Sequence, residues 1–190
     1  MSQRELLKRV TTALETSRIP YMITGSIASS LQGSPRATHD IDIVITIESN
    51  QVDRLLRFFP KSEYYSNIES IHQAIRKQDM FNIIHSREGL KIDFWLLTDD
   101  LFDQSRFSRR YQDTYSGIQL HISRPEDTIL AKLRWARLSG GSEKHFMDAI
   151  RVYEVQFNNL DIPYMEKWVK QFEIGTLWDR LRNEARTSEG

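Results

Sequence analysis

Two aspartates one residue apart stand in the run Asp40-Ile41-Asp42-Ile43-Val44-Ile45, whose β-branched composition predicts a strand. Side chains two apart on a strand face the same way, so the two carboxylates lie side by side while Ile41 and Ile43 turn to a core. Like charges so placed repel one another and cost stability. A divalent cation that neutralises both accounts for the arrangement, and hard oxygen donors point to magnesium. The plainer alternative is a solvated edge strand on which Arg36 and His39 offset the acids without a metal.

Upstream, Tyr21-Met22-Ile23-Thr24 reads as a short strand and Ile27 to Leu31 as a helix, with Gly25-Ser26 between them. Such a turn offers backbone N–H groups, a hydroxyl and the positive end of a helix dipole to a phosphate, and glycine lets the phosphate approach closely. An ordinary turn with a helix cap would need the same residues. A third acid, Asp93, lies in the predicted strand Leu90 to Leu97, on one face with Lys91 and Trp95. An unpaired carboxylate in a largely buried strand is costly, so either Lys91 or a metal must compensate it.

The elements that would hold these residues follow from periodicity. Ser2 caps a first helix whose Leu6, Leu7, Val10 and Leu14 recur at helical spacing before Pro20. After the Asp40 strand, Val52 to Phe59 and Asn67 to Lys77 read as helices, and Met80 to His85 pairs with Leu90 to Leu97 about Glu88-Gly89. Tyr111 to Ile122 reads as a strand pair turning at Ser116-Gly117. From Pro125 the period is helical: Glu126 to Leu138, Glu143 to Gln156, Tyr164 to Phe172 and Leu177 to Ala185. The expected organisation is a core over residues 1–123 and a helical region over 124–190 packed on it. Trp135, Phe146, Tyr153 and Trp168 are expected in the helical core.

Composition narrows the function classes. The 190 residues carry 26 Lys+Arg and 26 Asp+Glu, so bulk charge does not mark a nucleic-acid or membrane surface, although Arg106, Arg109, Arg110, Arg134 and Arg137 could make a local positive wall. No cysteine is present, which excludes disulfides and thiolate zinc sites and fits a reducing compartment. The five histidines are scattered rather than spaced for zinc. The first 18 residues lack the apolar run of a signal peptide and no stretch has the length of a membrane span, so a cytoplasmic, non-membrane protein is expected.

Gly25-Ser26 followed by Asp40-Ile41-Asp42 in a strand resembles the signature of the DNA polymerase β-type nucleotidyltransferase superfamily. Thr24-Gly25-Ser26 with Arg36-Ala37-Thr38-His39-Asp40-Ile41-Asp42 is most similar to the AbiEii-type toxins and minimal nucleotidyltransferases. Lys132, and Asp148 in Lys144-His145-Phe146-Met147-Asp148, resemble that group's helical lysine and its Lys-Asp-x-x-Asp stretch, with His145 where an acid often stands. The resemblance spans roughly residues 20 to 150 and implies an α+β fold, a mixed sheet flanked by helices with a C-terminal helical bundle.

It also implies a chemistry. Asp40, Asp42 and Asp93 would bind one or two magnesium ions, while Gly25, Ser26, Arg36, Lys132 and Asp148 would hold a nucleoside triphosphate, with Lys132 also catalytic. The expected reaction moves a nucleoside monophosphate to a hydroxyl of RNA or protein, as a toxin would, with a cognate antitoxin as possible partner. Transfer to a small molecule such as an antibiotic is the second expectation, and a non-catalytic partner-binding descendant the third. For Lys144 and Asp148 a plain surface ion pair one helical turn apart explains the spacing equally well.

Overall fold

The computed structural model describes residues 1–35 and 38–186, and its backbone contacts divide the chain into two units. The first comprises Met1–Thr24 and Thr38–Ile122, and the second the described residues of Gly25–Ala37 and Ser123–Gly190. Among the described residues no helix is long and apolar enough to cross a membrane.

The first unit carries a mixed seven-stranded sheet. Its strands are β1 (Tyr21–Ile23), β2 (Asp40–Ile45), β3 (Tyr64–Tyr65), β4 (Met80–His85), β5 (Lys91–Leu96), β6 (Tyr111–Tyr115) and β7 (Ile118–Ile122), in the order β3-β4-β5-β2-β1-β7-β6. β2 and β5 run parallel, as do β1 and β7, and the remaining neighbours are antiparallel. β2 is therefore the middle strand, with both edges paired. That removes the solvated edge strand as an account of its acids.

The residues of β2 alternate as the period of two requires, with Ile41 and Ile43 buried and Asp40 and Asp42 only partly so. On the apolar face Phe81 of β4 stacks on Phe94 of β5 at 4.9 Å, next to Ile83, Ile92 and Ile43. Tyr64 of β3 shares that face with His85 through their pairing, and its ring meets α1 (Gln3–Thr16), which sets Arg9 over it at 5.3 Å. α1 begins with a capping box, Ser2 accepting from the Glu5 N–H while Glu5 accepts from the Ser2 N–H, and it buries Leu6, Leu7, Val10 and Leu14. Burying four such side chains contributes on the order of 6–12 kcal/mol before chain entropy is counted.

Three further helices belong to this unit: α3 (Val52–Leu56), α4 (Ile68–Lys77) and α5 (Leu101–Arg109). The helix expected over Val52 to Phe59 stops at Leu56, because Pro60 disfavours helical geometry in the residue before it and Phe58 and Phe59 close tight turns instead. α5 has no counterpart in the periodicity, because only Phe102 and Phe107 are buried in it and their separation of five is not a helical repeat. Asp100 starts it by accepting from the N–H groups of Phe102 and Asp103. Phe107 then packs with Met22, Val44, Trp95 and Leu97, covering the apolar end of the other sheet face.

The second unit is helical: α2 (Gly25–Gln32), α6 (Pro125–Leu138), α7 (Glu143–Gln156), α8 (Ile162–Gln171) and α9 (Gly175–Glu184). α2 packs on α6 and α7, tied by the Gln32 amide to the Ser123 carbonyl at 2.6 Å and by the Gln156 amide to the Gln32 carbonyl at 2.9 Å. Just after α2, a Cβ on Gly33 would lie 2.9 Å from the Arg151 carbonyl, so the close approach to α7 requires glycine. Phe146, Tyr153 and Trp168 are buried here as expected, but Trp135 is 49% exposed.

Candidate functional site

The strand register collects the acids into rows. Across the face opposite Phe94, Asp42 of β2 is level with Asp93 of β5, which is level with Asn82 of β4. The neighbouring row holds Asp40, Lys91, Ile84 and Tyr65. The next row toward the strand ends is apolar, Val44 with Trp95 and Met80, and there α5 closes over Val44 and Trp95. One face is thus polar at one end and greasy at the other.

Asp93 is only 6% exposed. Its Oδ2 lies 2.8 Å from the Lys91 ammonium, whereas its Oδ1 is buried and accepts no hydrogen bond. Lys91 also stands 3.9 Å from Asp40, whose side chain is half exposed. The hydrogen bond that Lys91 donates to Asp93, followed by the charges of Asp93, Asp40 and Asp42, raises the Lys91 pKa above the ordinary lysine value against the opposing effect of burial. Lysine and buried acid therefore compensate one another, one of the two ways foreseen for Asp93.

Asn82 and Tyr65 were invisible in the sequence as site neighbours, because only the β4–β5 and β3–β4 registers bring them there. Beside them opens a cleft of about 280 Å³ lined by Tyr65, Asn67, Ser70, Met80, Phe81 and Asn82. Tyr65 stands 62% exposed at this cleft.

β1 ends where the Thr24 N–H donates to the Asp42 carbonyl at 3.0 Å, and the next residue, Gly25, opens α2. Gly25 has φ of +63°, a left-handed conformation that glycine adopts without strain. The helix starts at Gly25 itself, so the amides of Gly25 and Ser26 lie in its first turn, at the positive end of the helix dipole. Arg36 lies outside the described residues.

Lys132 and Asp148 meet within the second unit, Nζ to Oδ2 at 2.8 Å, and both side chains are less than a tenth exposed. The pair joins α6 to α7. Asp148 is thus buried against Lys132, and Lys144 is exposed, which displaces the surface pair with Lys144 as the account of this aspartate. Four of the five arginines considered for a positive wall are engaged locally: Arg106 with Asp103, Arg110 over Phe107, Arg134 over Phe172 and Arg137 with Glu173.

Solved structures share this fold. ANT(2'')-Ia in complex with adenylyl-2''-tobramycin aligns over 91% of this chain and 98% of its own, with a TM-score of 0.59 and 14% identity. An antigenic nucleotidyltransferase-like protein from Paracoccidioides brasiliensis aligns over 100% and 97%, at 0.56 and 19%. The fold is that of the nucleotidyltransferases. The lincomycin-bound lincosamide antibiotic adenylyltransferase LnuA matches the same nucleotidyltransferase fold over 82% of this chain and 98% of its own, at 0.54 and 13% identity. No protein-family model and no curated protein matches the chain.

The nucleotidyltransferase fold implies a divalent cation, and the donor set can be tested against one. Asp42 and Asp93 are adjacent hard oxygen donors, and the bare Asp93 Oδ1 is a buried acceptor for which hydrogen bonding gives no account, so the residues fit magnesium. Among the described residues, no three acidic or histidine side chains are gathered as a ready metal cluster. The Lys91 ammonium stands among these acids, near Asp93 and Asp40.

Proposed function

We propose that the chain is a magnesium-dependent nucleotidyltransferase that moves a nucleoside monophosphate from a triphosphate to a hydroxyl of a small acceptor. The observation that carries this reading is the row Asp42–Asp93, two carboxylates level on adjacent parallel strands, one of them buried with an oxygen left over. Magnesium, when bound, shields the triphosphate charge and draws electron density from the phosphorus under attack. Asp40, Asp42 and Asp93 would hold it. The amides of Gly25 and Ser26 take the β- and γ-phosphates, and chain continuity supports their joint use, since Thr24 bonds the Asp42 carbonyl immediately before them.

Asp93 receives the acceptor proton as the acceptor oxygen attacks the α-phosphorus, the bond to the bridging oxygen breaks, and pyrophosphate leaves. Two observations favour a small acceptor. The net charge is zero, which gives no general attraction for RNA, and two proteins of similar fold, ANT(2'')-Ia and LnuA, were solved in complex with adenylyl-2''-tobramycin and with lincomycin bound. The cleft at Tyr65 and Asn82 lies beside the acid row on the Asp93 side, a fitting place for an acceptor. The test is mass spectrometry of hydroxylated small molecules, aminoglycosides and lincosamides among them, after incubation with magnesium and each triphosphate. An added nucleoside monophosphate is the expected result, and none with any acceptor contradicts the small-molecule reading.

A second reading keeps the AbiEii-type assignment and takes RNA or protein as acceptor, with a cognate antitoxin as partner. The buried Lys132–Asp148 pair favours it, because those are the two positions that group's helical motif singles out. Labelled triphosphates incubated with lysate separate the readings: labelled macromolecule supports the second, labelled small product the first.

A further inference from the structure

We infer that Lys91 is an internal cation which competes with magnesium for the acid face and is displaced when the metal arrives. This rests on the proposed reading of Asp40, Asp42 and Asp93 as metal ligands. The ammonium lies 2.8 Å from Asp93 and 3.9 Å from Asp40, among the oxygens that a metal would require. It holds one oxygen of the buried Asp93 and leaves Oδ1 without a partner, so the carboxylate is only half satisfied by its lysine.

A dication on Asp93 and Asp42 would face that ammonium at a few ångströms, and two positive charges in a half-buried site repel strongly. Exchange is sterically easy. Lys91 has a flexible four-carbon stem and a side chain one-third exposed, so rotation alone carries its charge outward. A bound triphosphate then offers the departing ammonium new negative charge. Metal uptake and nucleotide arrival are coupled in this way, and the chain alone holds magnesium weakly.

The coupling is measured by Mn2+ binding, followed by the electron paramagnetic resonance of the free ion, with and without a non-hydrolysable triphosphate. Lys91→Met is expected to bind Mn2+ about tenfold tighter than wild type without nucleotide, because the competing charge is gone. Lys91→Gln, which still donates a hydrogen bond to Asp93, gives the same gain if Lys91→Met fails to fold. Lys91→Arg keeps the wild-type affinity, and the triphosphate narrows the gap between wild type and Lys91→Met. Equal or weaker binding by the neutral variants, with wild type binding Mn2+ and Asp42→Asn not, overturns the inference alone. If folded wild type and Lys91 variants all fail to bind Mn2+, the metal-ligand reading falls and the inference falls with it.

Discussion

Asp93 is the residue on which the proposed chemistry turns. Replacing it with asparagine keeps the shape and removes both the proton acceptor and the carboxylate charge closest to Lys91. Single-turnover transfer is expected to fall by about 100-fold or more, the usual contribution of a positioned base, with the fold retained by circular dichroism. Lys91 supplies a second prediction. Its pKa is raised in the folded chain, so its contribution to stability is complete below the ordinary lysine value of 10.5 and is lost as pH climbs through the folded value. Urea midpoints measured on either side of that value should fall with pH in wild type and flatten in Lys91→Met. Asp40, Asp42, Asp93 and the alternation that aligns them were legible in the residues themselves. Asn82 was not, since a residue's cross-strand neighbour is fixed by register, and the β4–β5 register is a property of the folded hairpin.

At the scale of elements, the strands and the long helices followed from period and caps, whereas α5 and the two-residue β3 did not. α5 is polar along most of its length, and β3 is too short to show alternation. The grouping of α2 with α6 and α7 was also beyond local pattern, being set by contacts far apart in sequence. The α6–α7 contact carries the third prediction. Removing one member of a buried ion pair takes a close partner from the other charge, so Lys132→Met should be destabilised by up to about 3–5 kcal/mol in urea unfolding. Lys132→Met with Asp148→Leu removes both charges and should recover most of that loss. If the double variant is no more stable than the single, the pair's role is not the electrostatic one described here.

For the whole molecule, the nucleotidyltransferase fold does not by itself name an acceptor, so the proposed function rests on the acid row rather than on the architecture. The measurement that tests this most directly is pyrophosphate release with magnesium, an α-labelled triphosphate and lysate small molecules, comparing wild type with Asp42→Asn. Wild type should release pyrophosphate and pass label to a product, and Asp42→Asn, equally folded, should do neither above background. Label transfer by Asp42→Asn at the wild-type rate would contradict the account.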